Sequence, residues 1–207
     1  KLGNDIDGEA AGDESGHAVA LSDNGNVLAV GAVNNDGAGS NAGHVRVYAW
    51  SGSAWTPLGS DIDGEAADDA SGYSLSLSSD GTVLAVGATM NDGTATDAGH
   101  TRVYSWSGSA WTKRGNDIDG EAAYDFYGYS VSLSSDGSVL AVGAVGNDGT
   151  AADAGHVRVY EWNGATWSQR GGDIDGELVY DYSGTSISLS SDGSVVAIGA
   201  IWNFGTG

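Results

Sequence analysis

Short runs of apolar or alternating residues, separated by glycine-containing turns, recur along the whole chain and predict β-strands. Residues 73–78 (YSLSLS) alternate between larger and small polar side chains, as expected for a half-buried strand. The dipeptide Asp80-Gly81 follows, which is typical of tight hairpins because both residues tolerate positive φ. The next run, VLAVGA at 83–88, is continuously apolar and predicts a strand that is buried on both faces.

A second pair of strands is predicted after a polar loop. The segment HVRVYAW at 44–50 alternates, with Val45 and Val47 on one side and polar residues on the other. The turn SGSA then separates Trp50 from Trp55, which places the two indoles opposite each other across a hairpin. The fourth strand is predicted to run from Trp55 towards LGSDIDG. No segment has helical periodicity, so the pattern predicts an all-β protein.

This four-strand pattern repeats every 56 residues without insertion or deletion, as the string DIDG shows at Asp5, Asp61, Asp117 and Asp173. A repeat of this size with four antiparallel strands predicts a β-propeller blade. The chain is predicted to be a single repeat domain, 1–207, with copies at 1–56, 57–112 and 113–168 and an incomplete copy at 169–207. Because propellers close with about 4–8 blades, we expect either a segment of a larger propeller or one that closes with another chain.

The composition narrows the classes of partner. A formal net charge of −21, with only 7 Lys and Arg residues, disfavours nucleic acid, whose phosphates require a basic surface. It equally disfavours anionic membrane surfaces and favours cations or basic partners. No apolar run approaches the roughly 20 residues of a membrane-spanning helix, so no membrane insertion is expected.

In the third copy, a D-x-x-G-x-S motif at Asp125, Gly128 and Ser130 precedes the V-G-A of the second strand at 142–144. The other copies keep part or all of the first motif: Asp13 and Gly16; Asp69, Gly72 and Ser74; Asp181, Gly184 and Ser186. This pattern resembles the FG-GAP repeat of integrin α-chain propellers, in its tryptophan-containing variant. The resemblance implies an extracellular or cell-surface location and a role in adhesion or ligand binding. The calcium loop of that family is not carried over, because the corresponding hairpin here has shrunk to LSSDG.

Acidic residues gather in the two longer loops of each copy. In a blade with strands a–d, the d–a and b–c loops leave on one side, here named the long-loop face, and the a–b and c–d turns leave on the other. Asp13 and its equivalents either cap backbone N–H groups or bind a cation with the adjacent b–c loop, for which calcium is the natural hard ion. Candidate metal ligands are Asp13, Asp36, Asp69, Asp92, Asp125, Asp148 and Asp181; candidate ligand-face residues are Glu9, Glu14, Glu65, Asp68, Asp97, Glu121, Asp153 and Glu177.

Other recurring residues have structural and functional interpretations. Arg46, Arg102 and Arg158 are expected to pair with carboxylates of the Asp5 type on the neighbouring strand. His44, His100 and His156 are expected to be hydrogen-bonded structural residues. The six paired tryptophans are expected to pack between outer strands, with sugar stacking as the alternative. Two residues break the repeat: His17, where the other copies have Tyr73, Tyr129 and Thr185, and Trp202.

Near-identical copies distribute residues evenly, whereas catalysis requires one asymmetric constellation, so no enzymatic activity is expected. The leading prediction is an extracellular propeller module for adhesion or for binding a protein or glycan ligand through its acidic long-loop face. The alternatives are a structural building block that assembles with copies of itself and a lectin-like, glycan-binding propeller.

Overall fold

The computed structural model describes residues 1–205; the last two residues of the predicted fourth copy, 206–207, lie outside the described residues. The strands are β1 (Ser15–Leu21), β2 (Val27–Ala32), β3 (His44–Trp50), β4 (Trp55–Pro57), β5 (Ile62–Asp63), β6 (Ser71–Leu77), β7 (Val83–Ala88), β8 (His100–Trp106), β9 (Trp111–Lys113), β10 (Ile118–Asp119), β11 (Tyr127–Leu133), β12 (Val139–Ala144), β13 (His156–Trp162), β14 (Trp167–Gln169), β15 (Ile174–Asp175), β16 (Ser183–Leu189) and β17 (Val196–Ala200). Within residues 1–205, no helix is long and apolar enough to cross a membrane.

The strands form three antiparallel sheets in tandem, followed by a two-stranded sheet from β16 and β17. In the first sheet the order is β1-β2-β3-β4, and β5 pairs with the free end of β3; the second and third sheets repeat this arrangement. The first strands of successive sheets pack against one another. The prediction of an all-β propeller built from 56-residue antiparallel blades, three full and one partial, is therefore confirmed.

The outermost strand differs from its prediction, because it is divided into two short segments rather than being continuous. In the first blade the break falls between β4 and β5, at residues 58–61. Gly59 has φ +89° there, which bends the chain out of the extended conformation. Gly115 and Gly171 have φ of +87° and +83° at the same place in the next two copies.

In the three full blades the second strand is the most buried element, as predicted: all six residues of β7 and of β12 are buried, whereas no residue of β17 in the partial fourth blade is. Its glycine sets the closest approach between blades. A Cβ added to Gly87 of β7 would lie 2.1 Å from the carbonyl oxygen of Gly128 in the next blade. Only glycine therefore allows this separation of the two backbones.

Further from the centre, the tryptophan pairs join neighbouring blades. The Trp111 indole N–H donates to the Leu58 carbonyl at 2.9 Å, and the Trp167 indole N–H donates to the Arg114 carbonyl at 2.8 Å. On the side of the tight turns, the Ser79 N–H donates to the Ser135 carbonyl at 2.8 Å. The two indole bonds, together with the packing of Trp111 and Trp167 against buried clusters, confirm the packing role predicted for the tryptophans.

Candidate functional site

The aspartates of the Asp13 type cap the d–a loop. Asp69 is buried, and its Oδ2 accepts hydrogen bonds from the backbone N–H groups of Glu65 at 3.1 Å and Ala66 at 3.0 Å. The same oxygen accepts a third bond from the Asn91 side-chain amide of the b–c loop at 3.1 Å. Equivalent bonds to the loop and to an asparagine amide surround Asp13, Asp125 and Asp181. The capping interpretation is thus confirmed.

The same geometry bears on the alternative of a calcium site. Calcium takes about 6–8 oxygen ligands, whereas Asp69 Oδ2 faces three N–H donors. The other predicted ligand of this copy, Asp92, is not brought to Asp69; its Oδ1 accepts the backbone N–H of Asp97 at 2.8 Å. Asp36 and Asp148 do the same within their own loops. The donor set at Asp69 therefore fits a capped turn better than a cation.

Three groups of one glutamate, one histidine and one aspartate bring potential metal ligands within 4.8 Å of one another: Glu9, His44 and Asp61; Glu65, His100 and Asp117; Glu121, His156 and Asp173. In the second and third groups, however, a guanidinium lies between the carboxylates. The Arg158 Nη2 is 2.5 Å from Glu121 Oε1 and 2.8 Å from Asp173 Oδ2. Because the guanidinium already occupies the space between these carboxylates and offsets part of their charge, the second and third groups do not fit a metal ion.

The predicted arginine pairing is confirmed for Arg102 and Arg158. Arg158 binds Asp173 through two parallel N–H···O bonds of 2.8 Å, and Arg102 Nη2 is 2.9 Å from Asp117 Oδ2. In the first copy the partner differs: Arg46 donates to the Asp7 carbonyl at 2.7 Å.

These contacts set the protonation states. Hydrogen bonding from Arg158 outweighs burial and holds the pKa of Asp173 at about 2. Burial of His156, together with the nearby Arg158 charge, lowers the pKa of that imidazole. Burial likewise lowers the pKa of His100. The burial of His100 and His156 fits a structural role. The predicted hydrogen bonding is not found for His156, whose buried Nε2 has no hydrogen-bond partner among the described residues.

A cavity of about 800 Å³, named here the central mouth, opens on the long-loop face. Its wall comes from strand beginnings and loops of three consecutive copies and carries six aromatic side chains: Tyr73, Phe126, Tyr129, Tyr180, Tyr182 and Trp202. Met90, Val145 and Ile201 add aliphatic surface. The sequence did not predict that these residues converge.

Backbone hydrogen bonds fix the loops around the central mouth. The N–H of Tyr180 donates to the Ala152 carbonyl at 2.9 Å, and the N–H of Tyr182 donates to the Asp153 carbonyl at 3.2 Å. The d–a loop is thereby attached to the preceding b–c loop. At the strand beginnings, the rings of Tyr73 and Tyr129 lie 5.1 Å apart between centroids. The aromatic wall is held by the fold rather than by a free loop.

The sequence positions at which the copies differ most lie around the central mouth. Residues 56 apart are Gly12, Asp68, Tyr124 and Tyr180 at one such position, and Glu14, Ala70, Phe126 and Tyr182 at a second; His17, Tyr73, Tyr129 and Thr185 form the third, and Asn34, Met90, Gly146 and Trp202 the fourth. By contrast, DIDGE is identical in all four copies. One difference between the copies lies away from the central mouth. Tyr127, where the other copies have serine, is fully buried inside its blade, and its hydroxyl donates to the Tyr160 hydroxyl at 2.8 Å.

Two of these positions hold bulky residues in the left-handed region of backbone conformation. Tyr180 has φ 64° and Tyr182 has φ 52°. A bulky residue there is a genuine outlier, costing on the order of 1–3 kcal/mol. Asp68 has φ 66° at the position equivalent to Tyr180, so the fold imposes this conformation regardless of the side chain. The tyrosine is therefore present despite a conformational cost.

The polar groups of the central mouth are few and carry no positive charge. Among the described residues that line it, Asp153 is the one acidic side chain, and there is no lysine or arginine. Burial raises the pKa of Tyr73, so this phenol stays neutral. Thr89 is buried in the wall and its hydroxyl has no hydrogen-bond partner in the described part of the chain. Such unsatisfied buried groups are rare and call for an explanation.

The remaining predicted ligand-face residues form hydrogen bonds and ion pairs outside the central mouth. Glu9, Glu65 and Glu121 lie beside the arginines of strand c. Glu14 Oε2 is 3.5 Å from His17 Nδ1, and Glu177 donates its backbone N–H to Asp181. Asp68 accepts the Asn41 side-chain amide at 3.0 Å. Asp97 occupies the place of Asp153 one copy earlier but does not line the central mouth.

Comparison with known proteins supports the fold alone. No family model and no curated protein matches this chain. Among solved structures, it is similar to a Bacteroides uniformis protein provisionally assigned as a 6-phosphogluconolactonase, with 11% identity and a TM-score of 0.59 over 88% of this chain and 46% of that one. It is also similar to Kuenenia stuttgartiensis hydrazine synthase, with 15% identity and a TM-score of 0.53 over 87% and 42% of the two chains.

The chain thus spans less than half the length of either protein. The resemblance to FG-GAP repeats is not touched by these matches and stays a prediction. What the matches add is that the tandem blades have the propeller-like arrangement found in larger proteins.

Proposed function

We propose that this chain is a ligand-binding β-propeller segment and that the central mouth is its binding surface. One observation carries the proposal: the copies differ most where they meet around a single aromatic cavity. Residues that serve blade packing recur in every copy because the packing itself recurs. A binding site needs one asymmetric arrangement, and departures from the repeat are the means of building it.

The size and wall of the cavity support binding. Ligand pockets typically enclose about 300–1,000 Å³ and are mostly apolar with a few polar groups. The central mouth, at about 800 Å³, has six aromatic side chains and one carboxylate. It also contains Thr89, whose buried hydroxyl has no hydrogen-bond partner among residues 1–205. A ligand group that reaches this hydroxyl would satisfy it.

Binding is favoured over catalysis. The described residues of the wall contain no nucleophile paired with a base, and Asp153 is the one ionisable group besides the tyrosines. A phosphorylated sugar of the kind named for the Bacteroides uniformis protein would require a basic group for its phosphate. The wall provides none. The resemblance to FG-GAP repeats extends the proposal to recognition or adhesion outside the cell.

The experiment is a fragment screen by NMR on the ¹⁵N-labelled chain. We expect shift perturbations to cluster at the backbone amides of Tyr129, Tyr180 and Thr185. The variant Tyr180→Ser should weaken these hits. Tyr124→Ser is the matched control, since Tyr124 occupies the same position one copy earlier, with φ 67°, but does not line the cavity. Hits scattered over the blades, or unaffected by Tyr180→Ser, would contradict the proposal.

A second candidate function, assembly, has an observation of its own. Val19 and Leu21 of β1 are 62% and 55% exposed, whereas their equivalents in the third blade, Val131 and Leu133, are both 8% exposed. This apolar sheet side would be covered by another blade, including one from a second copy of the chain. Sedimentation analysis tests this, and a strictly monomeric chain at high micromolar concentration would exclude assembly through β1.

A further inference from the structure

We propose that the central mouth selects organic cations, specifically alkylated ammonium groups with an apolar body. The inference rests on the proposed function, since it names the ligand class for the same cavity. It is carried by the combination of aromatic side chains, a single carboxylate and the absence of basic residues in the described wall.

The aromatic side chains provide the first part of the recognition. Ring faces are electron-rich and attract cations within about 6 Å of the centroid, most strongly where water is excluded. Tyr180 and Tyr182 lie 6.3 Å apart between centroids with planes 30° from parallel, and Trp202 lines the same cavity. An alkylated ammonium group combines positive charge with apolar surface, so it suits a wall in which aromatic carbon predominates.

Charge provides the second part. Asp153 places one carboxylate in the wall, and its backbone N–H donates to Asp148 Oδ1 at 2.8 Å, which brings a second acidic residue into the same loop. No lysine or arginine of the described wall competes for these carboxylates. The formal charge of −21 adds a long-range attraction for cations and repels anions.

Other ligand classes match this wall less well. A bare metal ion needs several oxygen ligands, and the wall has one carboxylate. A sugar needs several hydrogen-bonding partners, and apart from the phenol hydroxyls the side chains of the described wall offer the Trp202 indole N–H, Thr89, Thr185 and Asp153 on a surface that is otherwise aromatic and aliphatic. A phosphorylated compound would meet negative charge. An organic cation uses both the rings and the carboxylate.

The first experiment compares choline with its uncharged carbon isostere, 3,3-dimethyl-1-butanol, by titration into the complete wild-type chain. The two probes share their shape and differ in charge. We expect choline to bind roughly tenfold more tightly, in keeping with the cation–π energies of partly desolvated sites. Equal or tighter binding of the isostere, or no binding of choline at millimolar concentration, overturns the inference. Because this comparison uses wild-type protein, it does not depend on the folding of a variant.

Variants then assign the effect to the cavity. Asp153→Asn should weaken choline binding several-fold and reduce its salt dependence, while the binding of the isostere stays unchanged. Asp97→Asn is the matched control, since Asp97 has φ 50°, Asp153 has φ 49°, and only Asp153 lines the cavity. Asn41 occupies the equivalent position in the first copy with φ 50°, so asparagine is compatible with this backbone.

The outcomes also separate this inference from the proposed function. If fragments bind at the central mouth without any preference for cations, the proposed function is supported, but the inference that the cavity selects organic cations is refuted. A screen without hits at the central mouth would refute both. Equal losses of choline binding in Asp153→Asn and Asp97→Asn would show a general charge effect and overturn the assignment to the cavity.

Discussion

Two regions of the molecule are built on the same repeated backbone but differ in their side chains: the contacts between blades repeat from copy to copy, and the wall of the central mouth does not. Between blades, the same hydrogen bond recurs: Ser74 Oγ donates to the Gly128 carbonyl at 2.6 Å, and Ser130 Oγ donates to the Gly184 carbonyl at 2.6 Å. Around the central mouth, two of the four sets of equivalent positions hold four different residues in four copies, and the other two hold three. Residues that pack the blades together recur every 56 residues, whereas residues that line the proposed binding cavity change from copy to copy.

The two regions also differ in their contribution to stability. The blade contacts involve buried residues and glycines that fit their conformation. The central mouth holds large rings at strained positions, and Tyr180 and Trp202 are each 54% exposed. Substitutions should therefore lower the free energy of unfolding between blades and leave it unchanged or raise it at the strained positions, the usual exchange between stability and function.

The largest effect is expected for Gly87→Ala, between blades. The added Cβ would lie 2.1 Å from the Gly128 carbonyl oxygen, and a backbone atom cannot move aside easily. We expect a loss of about 3 kcal/mol in the free energy of unfolding, measured by urea denaturation. Gly172→Ala, where no atom lies within 4 Å of the added Cβ, should change stability by less than about 0.5 kcal/mol. Similar midpoints for both variants would refute the close-approach argument.

A smaller loss, about 2 kcal/mol, is expected for Arg158→Gln, because Glu121 and Asp173 would lose their shared partner. The pKa of Asp173 lies at about 2 in the folded state and at 3.8 ordinarily, so the unfolded chain takes up the proton first as the pH falls. The stabilisation is thus complete above about pH 4 and disappears towards pH 2.

Urea unfolding of Arg158→Gln and wild type at pH 7, 4 and 2.5 should therefore show two stabilities that converge in acid. A difference that stays constant over this range would exclude the ion pair as its cause. Lys113→Gln is the control, since it breaks a more exposed pair with Asp117 and should cost less than about 0.5 kcal/mol.

Asp69→Asn should cost about 1–2 kcal/mol, because an amide cannot reproduce all three acceptor bonds of the buried carboxylate. A calcium titration of the melting temperature separates the cap from a cation site. With a cap, calcium shifts the Tm of wild type and variant equally. A calcium-dependent rise in Tm that Asp69→Asn abolishes would establish a cation site instead.

The smallest effect should have the opposite sign. Tyr180→Gly relieves a left-handed φ of 64°, so we expect the chain to be unchanged or up to about 1 kcal/mol more stable. Tyr129→Gly, in a strand, should be destabilising because it removes a packed ring without relieving any strain. Thermal unfolding of both variants checks this contrast, which equal destabilisation would disprove.

Much of the fold was predictable from the sequence because the same pattern of strands and turns recurs in three full copies and one partial copy. The tryptophan pairs and the Asn-Gly or Asp-Gly turns located both hairpins of each of the three full blades. The division of the outermost strand was not predictable, because it depends on the left-handed φ of Gly59 and the letters LGS do not specify it.

For the site, the sequence identified His17 and Trp202 as departures from the repeat but could not bring the departures together. The wall joins residues that are far apart in sequence, from Tyr73 to Trp202, and their meeting depends on the placement of three blades. Tyr124 and Tyr180 are equivalent in the repeat, yet only Tyr180 lines the cavity. The abundance of acidic residues led to the prediction of metal and ligand sites on the long-loop face, whereas in the structure most of those candidates cap backbone N–H groups or form ion pairs.

The glycine and tryptophan contacts between blades together define a wedge. On the side of the central strands, the backbones of neighbouring blades approach closely where Gly87 faces Gly128, with no space for a Cβ. On the outer side, the indoles of Trp106 and Trp111 fill the space next to Gly59. The difference in thickness between these two edges sets the angle by which each blade turns from the last. The orientation of one blade relative to the next therefore depends on the contrast between the smallest and the largest side chain.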